Sequence, residues 1–117
     1  MLVATDGSRS ADAAVTFAID GAVCAGRALD IVSVSVTRSP SDPVIAPTRV
    51  ERYGGSRGIV DDAAVEAFAA GVREVATHTP HGDPEVEILR VADRQGSVEI
   101  VLGRFGADAE TRGRDGP

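Results

Sequence analysis

The sequence predicts an α/β fold, an open parallel sheet with flanking helices, and three observations carry that expectation. The chain opens on a short β-compatible run, Met1-Leu2-Val3-Ala4, which breaks at the turn signal Asp6-Gly7-Ser8. From Ser10 the apolar residues change to helical spacing. Ala28 to Val36 then returns to a Val- and Ile-rich strand. Strand, helix and strand within about 36 residues form a βαβ unit, which makes the strands parallel and the crossover right-handed.

The first helix shows its buried face in Ala14, Val15, Ala18, Ile19, Ala22 and Val23. Ser8 or Ser10 can cap it, Asp12 places negative charge in its first turn, and Gly26 ends it. Residues 37–58, with Pro40, Pro43, Pro47, Gly54, Gly55 and Gly58, read as a long loop. A second helix is expected to start at Asp61-Asp62, as N-terminal charge, and to bury Ala64, Val65, Phe68 and Ala69 before fading at Gly71. Val72–Thr79 reads as a third strand or as an extension of that helix. Gly82-Asp83-Pro84 opens a third helix with Pro84 near its first position, and Val86, Leu89, Val91 and Ala92, with Ile88 beside them, are its apolar contacts. Val98–Leu102 is a fourth strand that stops at Gly103. Residues 1–106 make one domain, and 107–117 a polar, glycine-rich tail.

Composition narrows the function. A length of 117 residues suits one core, and 43% hydrophobic with 26% charged residues is a globular balance. The formal charge of −6 and the four aromatic residues argue against nucleic-acid binding, which needs clustered positive charge or stacking platforms. All twelve basic residues are Arg, a compositional bias. Cys24 is the single cysteine, so neither an internal disulfide nor a thiolate zinc cluster is available. No basic, apolar leader opens the chain and no run is long enough to span a bilayer, so a cytoplasmic, non-membrane protein is expected.

In an open parallel sheet, ligands bind outside the carboxyl ends of the strands. Two turns lie there. In Thr5-Asp6-Gly7-Ser8 a carboxylate can accept from a ribose or an adenine amine, or it can simply satisfy turn amides. In Gly103-Arg104-Phe105-Gly106 main-chain amides can form a nest for phosphate oxygens. Thirteen glycines make such a spacing easy to produce by chance.

Other candidates read as structural. Cys24, beside Val23, is expected as a packed thiol. His78 and His81 flank Pro80 in a surface turn and lack further metal ligands. Glu99 faces solvent or an Arg. Arg104, Arg112 and Arg114 either neutralise phosphates or sit in a solvated tail. Ser33 and Ser35 alternate with Val32, Val34 and Val36, which suggests packing against small side chains rather than a catalytic serine.

Leu2-Val3-Ala4-Thr5-Asp6-Gly7-Ser8 with its Ala-rich helix, the strand ending near Val34, Gly82-Asp83-Pro84, and Ile100-Val101-Leu102-Gly103 together resemble the universal stress protein domain family. Gly103-x2-Gly106-x9-Gly116 is similar to that family's G-x2-G-x9-G-(S/T) nucleotide pattern. The resemblance implies a Rossmann-like sheet of order 3-2-1-4-5, often dimeric. It also implies an ATP site, with or without Mg2+. Thr5 and Asp6 would lie at its ribose and adenine end, the backbone near Val34 would face the base, and Gly103, Gly106 and Gly116 would surround the phosphates.

The sequence departs from the family at its end. Pro117, with no hydroxyl and no N–H, stands at the Ser/Thr position. A last helix and fifth strand are not expected after Gly103, and the expected order is 3-2-1-4. The fourth strand is then expected as an exposed edge that favours a homodimer. The expected function is an adenine-nucleotide-binding regulatory domain of the stress response, with no catalytic residues, no metal site and at most incidental ATP hydrolysis. The alternative is a degenerate member that dimerises as an interaction module without nucleotide. An adenylating enzyme on the same fold ranks last, because no serine–glycine phosphate loop follows the first strand.

Overall fold

The structure, a computed structural model, describes residues 1–35 and 55–103. Its elements in chain order are β1 (Leu2–Ala4), α1 (Arg9–Ala25), β2 (Leu29–Val32), α2 (Gly55–Ala70), β3 (Val75–His78), α3 (Pro84–Gln95) and β4 (Ile100–Leu102). The four strands pair in parallel in the order β3-β2-β1-β4, as expected.

Period-two alternation divides the strand residues between two helix layers. Val3, Leu29 and Ile31 face α1 and α2, where Ala14, Val15, Ala18, Ile19, Val60, Ala63 and Ala67 meet them. Leu2, Ala4 and Val32 face α3 through Val91 and Ala92. Because β1 and β2 are covered on both faces, Leu2, Val3, Ile31 and Val32 are completely buried. Each such side chain contributes about 1.5–3 kcal/mol through burial.

The helix ends follow local chemistry. Ser8 caps α1, its hydroxyl accepting from the Ala11 N–H, and Gly26 closes the helix. Asp83 caps α3 by accepting from the Glu85 N–H, Pro84 takes the first helical position, and Gly96 ends it.

Several expectations are corrected. Helix α2 starts at Gly55, so 55–58 are helical and Asp61-Asp62 lie in its middle. Its buried face is Ser56, Ile59, Val60, Ala63 and Ala67, while Val65 and Phe68 are exposed. Apolar residues occur on both sides of this helix, and the small Ala63 and Ala67 permit the closer approach to the sheet. Val23 and Cys24 are exposed near the end of α1, so Cys24 is not a packed thiol. Val86 and Leu89 are exposed on α3, leaving Val91, Ala92 and the partly buried Ile88 as its contacts. Val72–Thr79 resolves into strand β3 after Val72, which is buried in the α1–α2 cluster. The fourth strand is shorter than expected, starting at Ile100. The expected loop before Gly55 and the expected tail, 107–117, lie outside the described residues.

Candidate functional site

The carboxyl ends of β1, β2 and β4 lie side by side, since Ala4 is level with both Val32 and Leu102. Thr5 and Asp6 leave β1 there, Val34 follows β2, and Gly103 follows β4. These four expected site residues therefore gather at one edge of the sheet. Gly106, Gly116 and Pro117 lie outside the described residues, as do Arg104, Arg112 and Arg114.

The turn after β1 is built by its own side chains. The Thr5 N–H donates to the Val32 carbonyl at 2.9 Å, extending the β1–β2 ladder by one step. The buried Thr5 Oγ1 accepts from the Gly7 N–H at 3.1 Å, and Asp6 Oδ1 accepts from the Ser8 N–H at 2.8 Å. Gly7 has φ +80°, a left-handed conformation that side chains disfavour, and this lets the strand turn sharply into α1. Asp6 is half-buried and one of its oxygens is committed to the turn. The turn-satisfying role is thus part of the structure.

Gly103 has a packing role. A Cβ placed on it would overlap Ala11 Cα and lie 2.9 Å from both Ala11 N and Ser10 O. The exit of β4 therefore rests directly on the main chain of α1's first turn. Val34 is partly buried and, like Ile88, packs against the cluster on the α3 side.

Of the two serines that follow β2, Ser35 acquires a definite role that composition did not reveal. Ser35 Oγ and Ser56 Oγ lie 2.8 Å apart, tying the segment after β2 to the first turn of α2. The Ser35 main chain also bonds the β3–α3 connection, its N–H donating to Pro80 O and its carbonyl accepting from the Gly82 N–H. Ser33 is buried, and its hydroxyl has no partner among the described residues. His78 belongs to β3, not to a surface turn, and bonds Asp30, whereas His81 is exposed. Glu99 meets Arg27 at 3.2 Å, as expected of an exposed acid near an Arg. No group of three or more His, Cys, Asp or Glu among the described residues is arranged to hold a metal ion.

A universal stress protein family model matches residues 1–116. The chain belongs to the universal stress protein family. Solved structures agree with that membership. A universal stress protein in complex with cAMP is 26% identical at a TM-score of 0.63, with 85% of this chain and 71% of that one covered. A universal stress protein family member from Burkholderia pseudomallei is 27% identical at a TM-score of 0.71, covering 95% of this chain and 83% of that one. UspA from Lactobacillus plantarum, at 24% identity and a TM-score of 0.66 over 95% of this chain and 80% of that one, shares the fold. No curated protein matches the chain. Among the described residues, no helix is long and apolar enough to cross a membrane.

Proposed function

We propose that this universal stress protein domain binds an adenine nucleotide and acts as a regulatory module rather than an enzyme. The observation that carries the reading is the convergence of Thr5, Asp6, Val34 and Gly103 at the carboxyl edge of β1, β2 and β4. That edge is where open parallel sheets receive ligands. Asp6 commits Oδ1 to the turn, and its second oxygen is the acceptor offered to a ribose hydroxyl or an adenine amine. The cAMP complex of a relative supports a nucleotide of this class. ATP, with or without Mg2+, is the ligand proposed here. Gly106 and Gly116 are proposed as further phosphate contacts, within a domain of residues 1–106 and a tail of 107–117. A cytoplasmic setting suits a chain whose one cysteine has no partner for a disulfide.

Isothermal titration of the full chain with ATP and with cAMP, with and without Mg2+, tests this reading. Binding in the micromolar range, weakened about tenfold, or about 1.4 kcal/mol, by Asp6→Ala, is the expected result. Heat changes absent at millimolar nucleotide would overturn it.

A second reading, a dimerising interaction module without nucleotide, is favoured by one observation. β4 ends the sheet order among the described residues, and its Leu102 is exposed. Native mass spectrometry separates the readings: an empty dimer in the presence of ATP supports the second, and a nucleotide-bearing species supports the first.

A further inference from the structure

We infer that Gly103 is a positioning residue for Asp6, required as glycine because the exit of β4 packs against the main chain of α1's first turn. The atoms a side chain at this position would strike are Ala11 Cα, Ala11 N and Ser10 O. All three are main-chain atoms of a capped helix, so no rotamer change relieves the contact. Ala11 is completely buried and cannot move outward without opening the α1–sheet packing.

The same atoms lead to Asp6 in two steps. The Ala11 N–H donates to Ser8 Oγ at 3.2 Å, and the Ser8 N–H donates to Asp6 Oδ1 at 2.8 Å. Ser8 is further held through its carbonyl, which accepts from the Asp12 N–H at 2.9 Å. A side chain at 103 therefore displaces Ala11, loosens Ser8, and releases the carboxylate that Ser8 orients. Gly103 acts on the site through α1 and the Asp6 turn. It does not need to touch a ligand to matter for one. The consequence for nucleotide affinity rests on the reading of Asp6 as a nucleotide contact, but the structural relay does not.

Backbone amide exchange followed by NMR on the full chain, without nucleotide, tests the relay directly. Gly103→Ala is expected to speed exchange of the Ser8 and Ala11 amides by about tenfold while leaving those of Ile31 and Val32 unchanged. Ser8→Ala, which removes only the hydroxyl link, is expected to speed exchange at the position-8 amide by a similar factor of about ten, and it keeps the test available if Gly103→Ala fails to fold. Unchanged exchange at position 8 in either folded variant overturns the inference. Titration with ATP completes the experiment. Loss of affinity in Gly103→Ala with Ser8 and Ala11 undisturbed overturns positioning and makes Gly103 a direct contact. A wild-type chain that binds no nucleotide, together with accelerated exchange in the variants, sinks the nucleotide reading and upholds the relay.

Discussion

His78 Nε2 lies 3.0 Å from Asp30 Oδ1, joining β3 to β2 on the α3 side of the sheet. The register explains the contact. His78 is level with Val32, and Asp30 lies two residues earlier on the same face of the same strand. Both side chains are mostly shielded, at 17% and 13% exposure, so solvent screens the pair less than it would a surface ion pair. His78→Ala and Asp30→Ala should each lower unfolding free energy by about 1–2 kcal/mol, with a double-mutant coupling of about 0.5–1.5 kcal/mol. Urea denaturation of the four species measures it, and strictly additive losses would mean that the pair contributes nothing of its own.

Asp6 should matter to the fold before any ligand is added. Its carboxylate accepts the Ser8 N–H just ahead of α1, so Asp6→Ala leaves that amide without its partner. The expected cost is about 1 kcal/mol of stability. A nucleotide titration of this variant therefore has to be run well below its melting temperature. An unaltered melting curve would show that the Ser8 amide finds another acceptor.

The cap of α3 gives a local test. Asp83 accepts from the Glu85 N–H at 2.9 Å and is itself exposed. Asp83→Ala should destabilise the chain by about 1 kcal/mol, and Asp83→Ser or Asp83→Asn should restore most of it. Equal losses in all three would point to a role other than capping.

The two faces of α2 should respond very differently. Val60 is completely buried among α1, α2 and the sheet, whereas Phe68 is 55% exposed. Val60→Ala should therefore cost about 1–3 kcal/mol through lost burial and the cavity left behind. Phe68→Ser should stay within about 0.5 kcal/mol of wild type. Thermal unfolding of the two variants decides it, and a large loss at Phe68 would mean that this face is covered in solution.

Cys24 is exposed on the last turns of α1. It should react with a thiol reagent in the native protein at a rate within about tenfold of a free cysteine, in contrast to a buried and inert thiol. Labelling that requires denaturant would contradict the exposed placement.

How much could be read in advance depended on how local the governing interaction is. The buried stripe from Ala14 to Ala22, a serine cap at Ser8 or Ser10, the opening of the third helix at Gly82-Asp83-Pro84 and the stop at Gly26 were all legible. Each rests on residues within one or two turns of one another. The Asp6 turn was legible for the same reason, though its two possible roles were not separable from local pattern.

Tertiary structure decided the rest. Helix α2 carries apolar residues on both sides, so periodicity alone could not say whether Phe68 or Ala67 meets the sheet. The start at Gly55 likewise depends on Ser56, Ile59 and Val60 finding partners, which overrides the helix-breaking tendency of Gly55 and Gly58. The bonds Ser35–Ser56 and Asp30–His78, and the packing of Gly103 on Ala11, join residues 21, 48 and 92 positions apart. By itself the sequence determined the βαβ opening, the start and stop of its helix and the turn that follows its first strand, because near neighbours specify these. Strand register and helix approach decided which glycine is a packing point and which polar groups meet, because those contacts exist only once distant segments lie against one another.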